Sequence, residues 1–216
     1  MKELFPGVYL IDNYIHTENM NKGYRVYNER LVKKDGKEFR VWDPFRSKLA
    51  AAIKKGLKNF PFSRNTKVLY LGASTGTTVS HVSDIVVEGE IYAVEISSQS
   101  MKSLLALAEK RKNIVPILSD ASKPREYEAV GEVDIIYQDI AQPHQAEILI
   151  VNAEEFLKPS GIAMIAIKSQ SIDVTKEPKK VFEEVLAELK KKFELLESYT
   201  LEPFDKDHLF CILRKI

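Results

Sequence analysis

The chain is expected to form an α/β fold: a doubly wound, Rossmann-like sheet of about seven strands behind a small antiparallel β module. Three observations carry that expectation. From Lys67 onward, apolar strand-like runs alternate with amphipathic helical runs, which is the signature of βα units. The runs at 133–137 and 162–167 are almost wholly apolar, as strands covered on both faces must be. An apolar strand ending at Gly72 passes through the small-residue turn Ala73-Ser74-Thr75-Gly76 straight into a helix. Such a junction leaves helix N-terminal N–H groups uncovered and open to a ligand.

The N-terminal residues read as short strands at 8–11, 24–31 and 38–42, the last two joined through Asp35-Gly36, a hairpin turn signal. A helix over 47–58 follows, capped by Ser47, with Leu49, Ala52, Ile53 and Leu57 on its apolar face. Strands are then expected at 67–72, 90–95, 114–118, 133–138 and 161–168, and helices near 76–87, 99–111, 143–157 and 178–192. Ser97 or Ser98 caps the second of these helices, and Pro178 opens the last. Two more strands, near 194–201 and 208–214, finish the chain.

With 216 residues and 44% hydrophobic content, one full core can be buried. The expected division is a β module at 1–45, a linking helix and loop at 46–66, and the main domain at 67–216. The single cysteine, Cys211, excludes an intrachain disulfide framework and sits in an apolar run as a core residue. No signal-peptide core and no apolar run of membrane-spanning length is present, so a soluble, cytoplasmic protein is expected. Scattered histidines give no zinc-ligand spacing, so no metal is expected.

Net charge is +1, but it is unevenly placed. Residues 1–66 hold fourteen Lys/Arg against seven Asp/Glu, and residues 67–216 hold eighteen against twenty-four, which together recover +1. The basic third, with Arg25, Arg30, Lys33, Lys34, Lys37, Arg40 and Arg46, suits a phosphate-bearing partner met through a shallow, salt-sensitive surface.

The strand ends define a cofactor site. Gly72, Ala73, Thr77 and Thr78 belong to the loop. Glu95 ends the second strand, where a carboxylate can accept from both ribose hydroxyls. Asp120 and Ala121 follow the third strand, with Asp120 placed to accept from an adenine amino group, and Asp139 and Gln142 follow the fourth. A glycine loop with one acid fits NAD as well as S-adenosyl-L-methionine. Gly72 and Gly76 are four apart, however, which is not G-x-G-x-x-G, and the second acid favours one nucleoside without a pyrophosphate.

Several strings together resemble the fibrillarin family in its archaeal form. They are Val41–Ala51 (VWDPFRSKLAA), 71–85 (LGASTGTTVSHVSDI), 92–95 (YAVE), Asp120-Ala121, 139–143 (DIAQP), 167–173 (IKSQSID) and Asp207-His208. They span nearly the whole chain in the family's order. Two departures flank the loop: Ser74-Thr75, and Ile96 where the family has phenylalanine. The resemblance implies an S-adenosyl-L-methionine-dependent 2′-O-methyltransferase of rRNA and tRNA. The implied setting is a box C/D ribonucleoprotein containing guide RNA, a Nop-family scaffold and a kink-turn-binding ribosomal-type protein. It also implies a catalytic set of Lys48, Asp139, Lys168 and His208, with Arg46 and Lys48 meeting RNA. In that set Lys168 takes the 2′-proton, Asp139 orients it, and Lys48 and His208 hold ribose and phosphate. A non-catalytic RNA-binding subunit would be expected to show erosion of these positions. A methyltransferase for proteins or small molecules would lack the lysine pair.

Overall fold

The computed structural model describes all 216 residues and contains two sheets. The N-terminal sheet is antiparallel, in the order β1 (Lys2–Phe5), β2 (Val8–Ile11), β3 (Tyr14–Glu18), β5 (Lys37–Val41), β4 (Leu31–Lys34). The Asp35-Gly36 turn joins β4 to β5 with φ of 51° and 75°, the left-handed pair that a tight hairpin requires.

The segment 24–31 is not the strand expected. Glu29 turns its carboxylate onto the N–H groups of Val26 and Tyr27, so these amides bond to a side chain and not to a ladder. The strand lies further on, at β4, an edge carrying Lys33 and Lys34. Strands β1 and β3 escape the sequence reading, because β3 buries His16 and Thr17 and so shows no apolar alternation. Helix α1 (Lys48–Lys54) is capped by Ser47 as expected but stops before 58, since Gly56 adopts φ 98°.

The large sheet has the order β11 (Phe193–Thr200), β12 (His208–Lys215), β10 (Leu157–Lys168), β9 (Val133–Gln138), β6 (Lys67–Leu71), β7 (Glu90–Glu95), β8 (Ile114–Leu118). Strands β10 to β8 run parallel, while β12 and β11 are antiparallel additions. Helices α2 (Thr77–Ile85) and α3 (Ser98–Lys110) lie on one face. Helices α4 (Gln145–Phe156) and α6 (Pro178–Leu189) lie on the other, and the single turn α5 (Ser169–Ile172) follows β10. A 3₁₀ segment at Pro124–Val130 was not expected.

Alternate residues of each strand feed two cores. Leu69, Ile136 and Ile165 pack with α4 and α6, whereas Val68, Tyr70, Ile135 and Met164 pack with α1, α2 and α3. The N-terminal sheet adds Val8, Ile15 and Trp42 to this second core. Cys211 is fully buried, which pushes its thiol up to about 12. No helix is long and apolar enough to cross a membrane.

A buried polar network ties the N-terminal sheet to α2. Arg40 on β5 donates to Glu29 (2.6 Å), to Asp84 (2.8 Å) and to Ser80 Oγ (2.8 Å), and Arg111 donates to the other Asp84 oxygen (2.6 Å). The hydroxyl of Thr17 also donates to Asp84, at 2.7 Å. Arg40 therefore does not belong to the basic surface on which the sequence placed it. Its guanidinium is entirely buried and paired.

Candidate functional site

The order of the large sheet reverses between β6 and β9, and the crevice outside their carboxyl ends is the favoured ligand position in such sheets. A cavity of about 290 Å³ opens there. Of the residues expected around a cofactor, Gly72, Glu95, Ala121, Asp139 and Gln142 line it. Ser74, Ile96 and Ser119 also line it and were not anticipated.

Gly72 is required twice over. Its φ is 84°, and a Cβ would lie 2.6 Å from the carbonyl oxygen of Asp139. Gly76, at φ 92°, caps α2 where a Cβ would strike Leu107. Glu95 is anchored by two backbone donors. Ser74 N–H reaches one oxygen and Ser97 N–H the other, both at 2.7 Å. A carboxylate has about four acceptor positions, so one remains on each oxygen, enough for a pair of vicinal hydroxyls.

Asp120 stands beside the cavity, with one oxygen accepting from Ser122 N–H (2.9 Å) and Gln142 Nε2 (3.3 Å). The Ser122 amide, helped against the opposing effect of burial by the Ser122 hydroxyl and then Gln142, holds its carboxyl below the usual carboxylate range. These features are compatible with an adenosine-bearing group: Gly72 leaves room for close approach, Glu95 keeps acceptor positions suited to vicinal hydroxyls, and Asp120 with Gln142 adds a polar pair.

Besides Asp120, three expected residues do not line the cavity. Ala73 is buried, Thr77 forms the first position of α2, and Thr78 donates its hydroxyl to Ser47 Oγ at 3.0 Å. Thr78 thus joins the N-termini of α1 and α2.

At the mouth stands Asp139, held by its N–H bonding Leu71 O (2.9 Å). Lys168 Nζ lies 2.7 Å from Asp139 Oδ1 and 3.1 Å from its backbone carbonyl. Lys48 Nζ lies 3.2 Å from the same carboxylate. All three side chains are 16–17% exposed, and Asp139 and Lys168 line the cavity. His208 faces Lys168 directly across the β10–β12 pair.

Two further residues organise this cluster. Asp205 lies 3.4 Å from Lys48 Nζ and 2.9 Å from His208 Nδ1, bridging them. Gln145 accepts from Lys168 N–H (3.0 Å) and donates to Lys168 O (3.3 Å), fixing the end of β10. Asp205 could have been found from its place three residues before His208, but Gln145 carries no sequence signal. Burial of Lys48 opposes its charge, but Asp139 and then Asp205 outweigh it and hold the ammonium above the ordinary lysine value.

The fibrillarin family model matches residues 1–215. The chain belongs to the fibrillarin family. A fibrillarin-like rRNA/tRNA 2′-O-methyltransferase of Pyrococcus abyssi is 53% identical over 221 residues, covering 99% of this chain and 97% of the relative. The fibrillarin in a crystal structure of a fibrillarin/Nop5p complex superposes with a TM-score of 0.93 at 47% identity, covering both chains fully. Aeropyrum pernix fibrillarin, crystallised with natively bound S-adenosyl-L-methionine, gives a TM-score of 0.87 at 42% identity, covering 95% of this chain and 92% of that one. The fibrillarin fold thus brings together the three strand-end carboxylates and the two lysines that the motifs singled out.

Proposed function

We propose that this chain transfers the methyl group of S-adenosyl-L-methionine to ribose 2′-hydroxyls of rRNA and tRNA. It acts as the catalytic subunit of a box C/D ribonucleoprotein in the cytoplasm. Within it, residues 1–45 form the β module, 46–66 the linker and 67–216 the catalytic domain. One observation carries the chemistry: a carboxylate shared by two lysines stands beside the cavity lined by Gly72 and Glu95. Support for the substrate comes from the names of the rRNA/tRNA 2′-O-methyltransferase relatives. Support for the cofactor and for a Nop-family scaffold comes from the fibrillarins solved with S-adenosyl-L-methionine and with Nop5p. Guide RNA and a kink-turn-binding protein complete the proposed particle.

Bound S-adenosyl-L-methionine supplies an electrophilic methyl on an excellent leaving group, so the protein's contribution is positioning and removal of one proton. Lys48 stays charged between Asp139 and Asp205, which suits it to hold ribose and phosphate with His208 and Arg46. Lys168, as the free amine aimed by Asp139, would take the 2′-proton as the 2′-oxygen displaces the thioether sulfur from the methyl carbon. Single-turnover methylation in an assembled particle tests these roles. Lys168→Ala is expected to slow transfer by roughly 10²–10³-fold with cofactor affinity retained. Near-normal rates for both Lys168→Ala and Asp139→Ala would overturn the assignment.

A further inference from the structure

Asp139 and Lys168 meet at 2.7 Å, yet no backbone ladder joins their strands at that level. The parallel pairing of β9 with β10 ends at Gln138 and Ile165, one residue before Asp139 and three before Lys168. On the other side of β10, Lys168 pairs with His208 of β12. Ser169 then donates from its N–H and its hydroxyl to Asp207 O, at 3.3 and 3.0 Å. Those contacts tie the end of β10 to β12. The spacing from β9, which sets the reach of Lys168 to Asp139, needs a separate support.

Gln145, the first residue of α4, supplies it. Its side-chain oxygen accepts from Lys168 N–H at 3.0 Å, and its amide nitrogen donates to Lys168 O at 3.3 Å. A primary amide thus offers Lys168 the acceptor and donor that a neighbouring strand would offer. Gln138, the last residue of β9, in turn donates from Nε2 to Gln145 O at 2.7 Å. Gln138 and Gln145 are 0% and 1% exposed. Burying an amide side chain is costly unless its hydrogen bonds are made, and an apolar residue would fill the same space without that cost. A continuous chain of hydrogen bonds therefore runs from the residue before Asp139, through Gln145, to the backbone of Lys168. Gln145 does not line the cofactor cavity, so it can act on transfer only through Lys168.

We propose that Gln145 is a positioning residue for methyl transfer. Seated on Gln138, it continues the β9–β10 pairing past its last backbone rung and sets the reach of Lys168 to Asp139. This rests on the reading of Lys168 as the group that takes the 2′-proton.

The test begins with amide hydrogen exchange in the full wild-type chain with S-adenosylhomocysteine bound. Lys168 N–H should be protected although it lies beyond the ladder, and exchange at the rate of an exposed amide would overturn the proposal. Gln145→Met keeps the side-chain length and removes both bonds to Lys168. Its Lys168 amide should exchange about 5- to 150-fold faster relative to Met164, inside the ladder, because a buried donor is stranded. A purely structural loss would speed both amides alike. In the particle assembled with guide RNA, single-turnover methylation at saturating RNA should fall roughly 10- to 100-fold, as a lysine displaced by a fraction of an ångström requires. The half-saturating RNA concentration and S-adenosylhomocysteine affinity should not change. Gln145→Glu keeps an oxygen for Lys168 N–H and should recover the protection and part of the rate. Gln138→Met should slow transfer less than Gln145→Met and add nothing to it, since it acts through Gln145. Equal acceleration of both amides, a wild-type rate for Gln145→Met, or additivity of the two methionine variants would each overturn the proposal. A wild-type particle that methylates no RNA, with the exchange pattern as expected, would leave the glutamine bridge standing and remove the enzymatic reading.

Discussion

Replacing Asp84 with asparagine probes the network that joins the N-terminal sheet to α2. The change is nearly isosteric, so it removes a charge without opening a cavity. Arg40 and Arg111 are both fully buried and share this carboxylate at 2.8 and 2.6 Å, with Glu29 as the other buried acid. In the native chain two buried cations meet two buried anions. In the variant one positive charge is left uncompensated in a site that excludes water. Breaking such a pair by removing one partner costs about 3–5 kcal/mol. At this chain length each kcal/mol moves Tm by roughly 2–4 °C, so a fall of roughly 6–20 °C is expected. Urea unfolding measures the same loss as a lower midpoint at unchanged slope. Arg111→Met should also destabilise. The double variant should lose less than the sum by about 1–3 kcal/mol, because the stranded charge is then gone. A loss below about 1 kcal/mol for Asp84→Asn, or strict additivity with Arg111→Met, would refute the account.

His81 gives a pH signature. Burial, then Arg40 and Arg111, push its pKa well below the ordinary histidine value, so the folded chain refuses a proton that the unfolded chain accepts below about pH 6.5. Stability is therefore complete above that pH and falls as pH drops, with a limiting slope of about 1.4 kcal/mol per pH unit. His81→Gln should flatten the curve between pH 6.5 and 5 in urea titrations; parallel curves would contradict it. Gly72→Ala forces φ 84° on a residue with a Cβ 2.6 Å from Asp139 O. The left-handed conformation alone costs about 1–2 kcal/mol. Calorimetry should show weakened S-adenosylhomocysteine binding, and unchanged affinity would mean that the loop relaxes without moving Asp139.

The sheet strands and the cofactor carboxylates were legible because each rests on a local pattern: an apolar run, a glycine turn, an acid at a strand end. Glu95 and Asp139 lie where their positions after β7 and β9 place them. The N-terminal sheet was less legible because it is stabilised by charge. Arg40 reads as a surface cation until Asp84, 44 residues on, is seen beside it. Glu29 suppresses a strand by capturing two backbone amides, which no alternation of polar and apolar residues can announce. Thr78 fell in a loop motif that pointed to the cofactor, yet its hydroxyl serves a neighbouring helix.

That last contact bears on how the two halves of the site keep register. The methyl donor's side is built from the ends of β6 and β7, whereas Lys48 comes from α1, outside the large sheet. An error of about 1 Å between them would be costly, since near-attack geometry tolerates little misplacement. Ser47 Oγ caps α1 through Ala50 N–H and at the same time accepts from Thr78, in the first turn of the helix that follows the glycine loop. Further along the same helix, Ser80 and Asp84 hold Arg40 of the N-terminal sheet. Helix α2 is thus fixed at one end to the helix bearing Lys48 and along its length to the N-terminal sheet. The basic N-terminal third is therefore more than a charged surface appended to a methyltransferase. Its position is set by the same helix that follows the cofactor loop, so the loop and the lysine cluster share one set of supporting contacts.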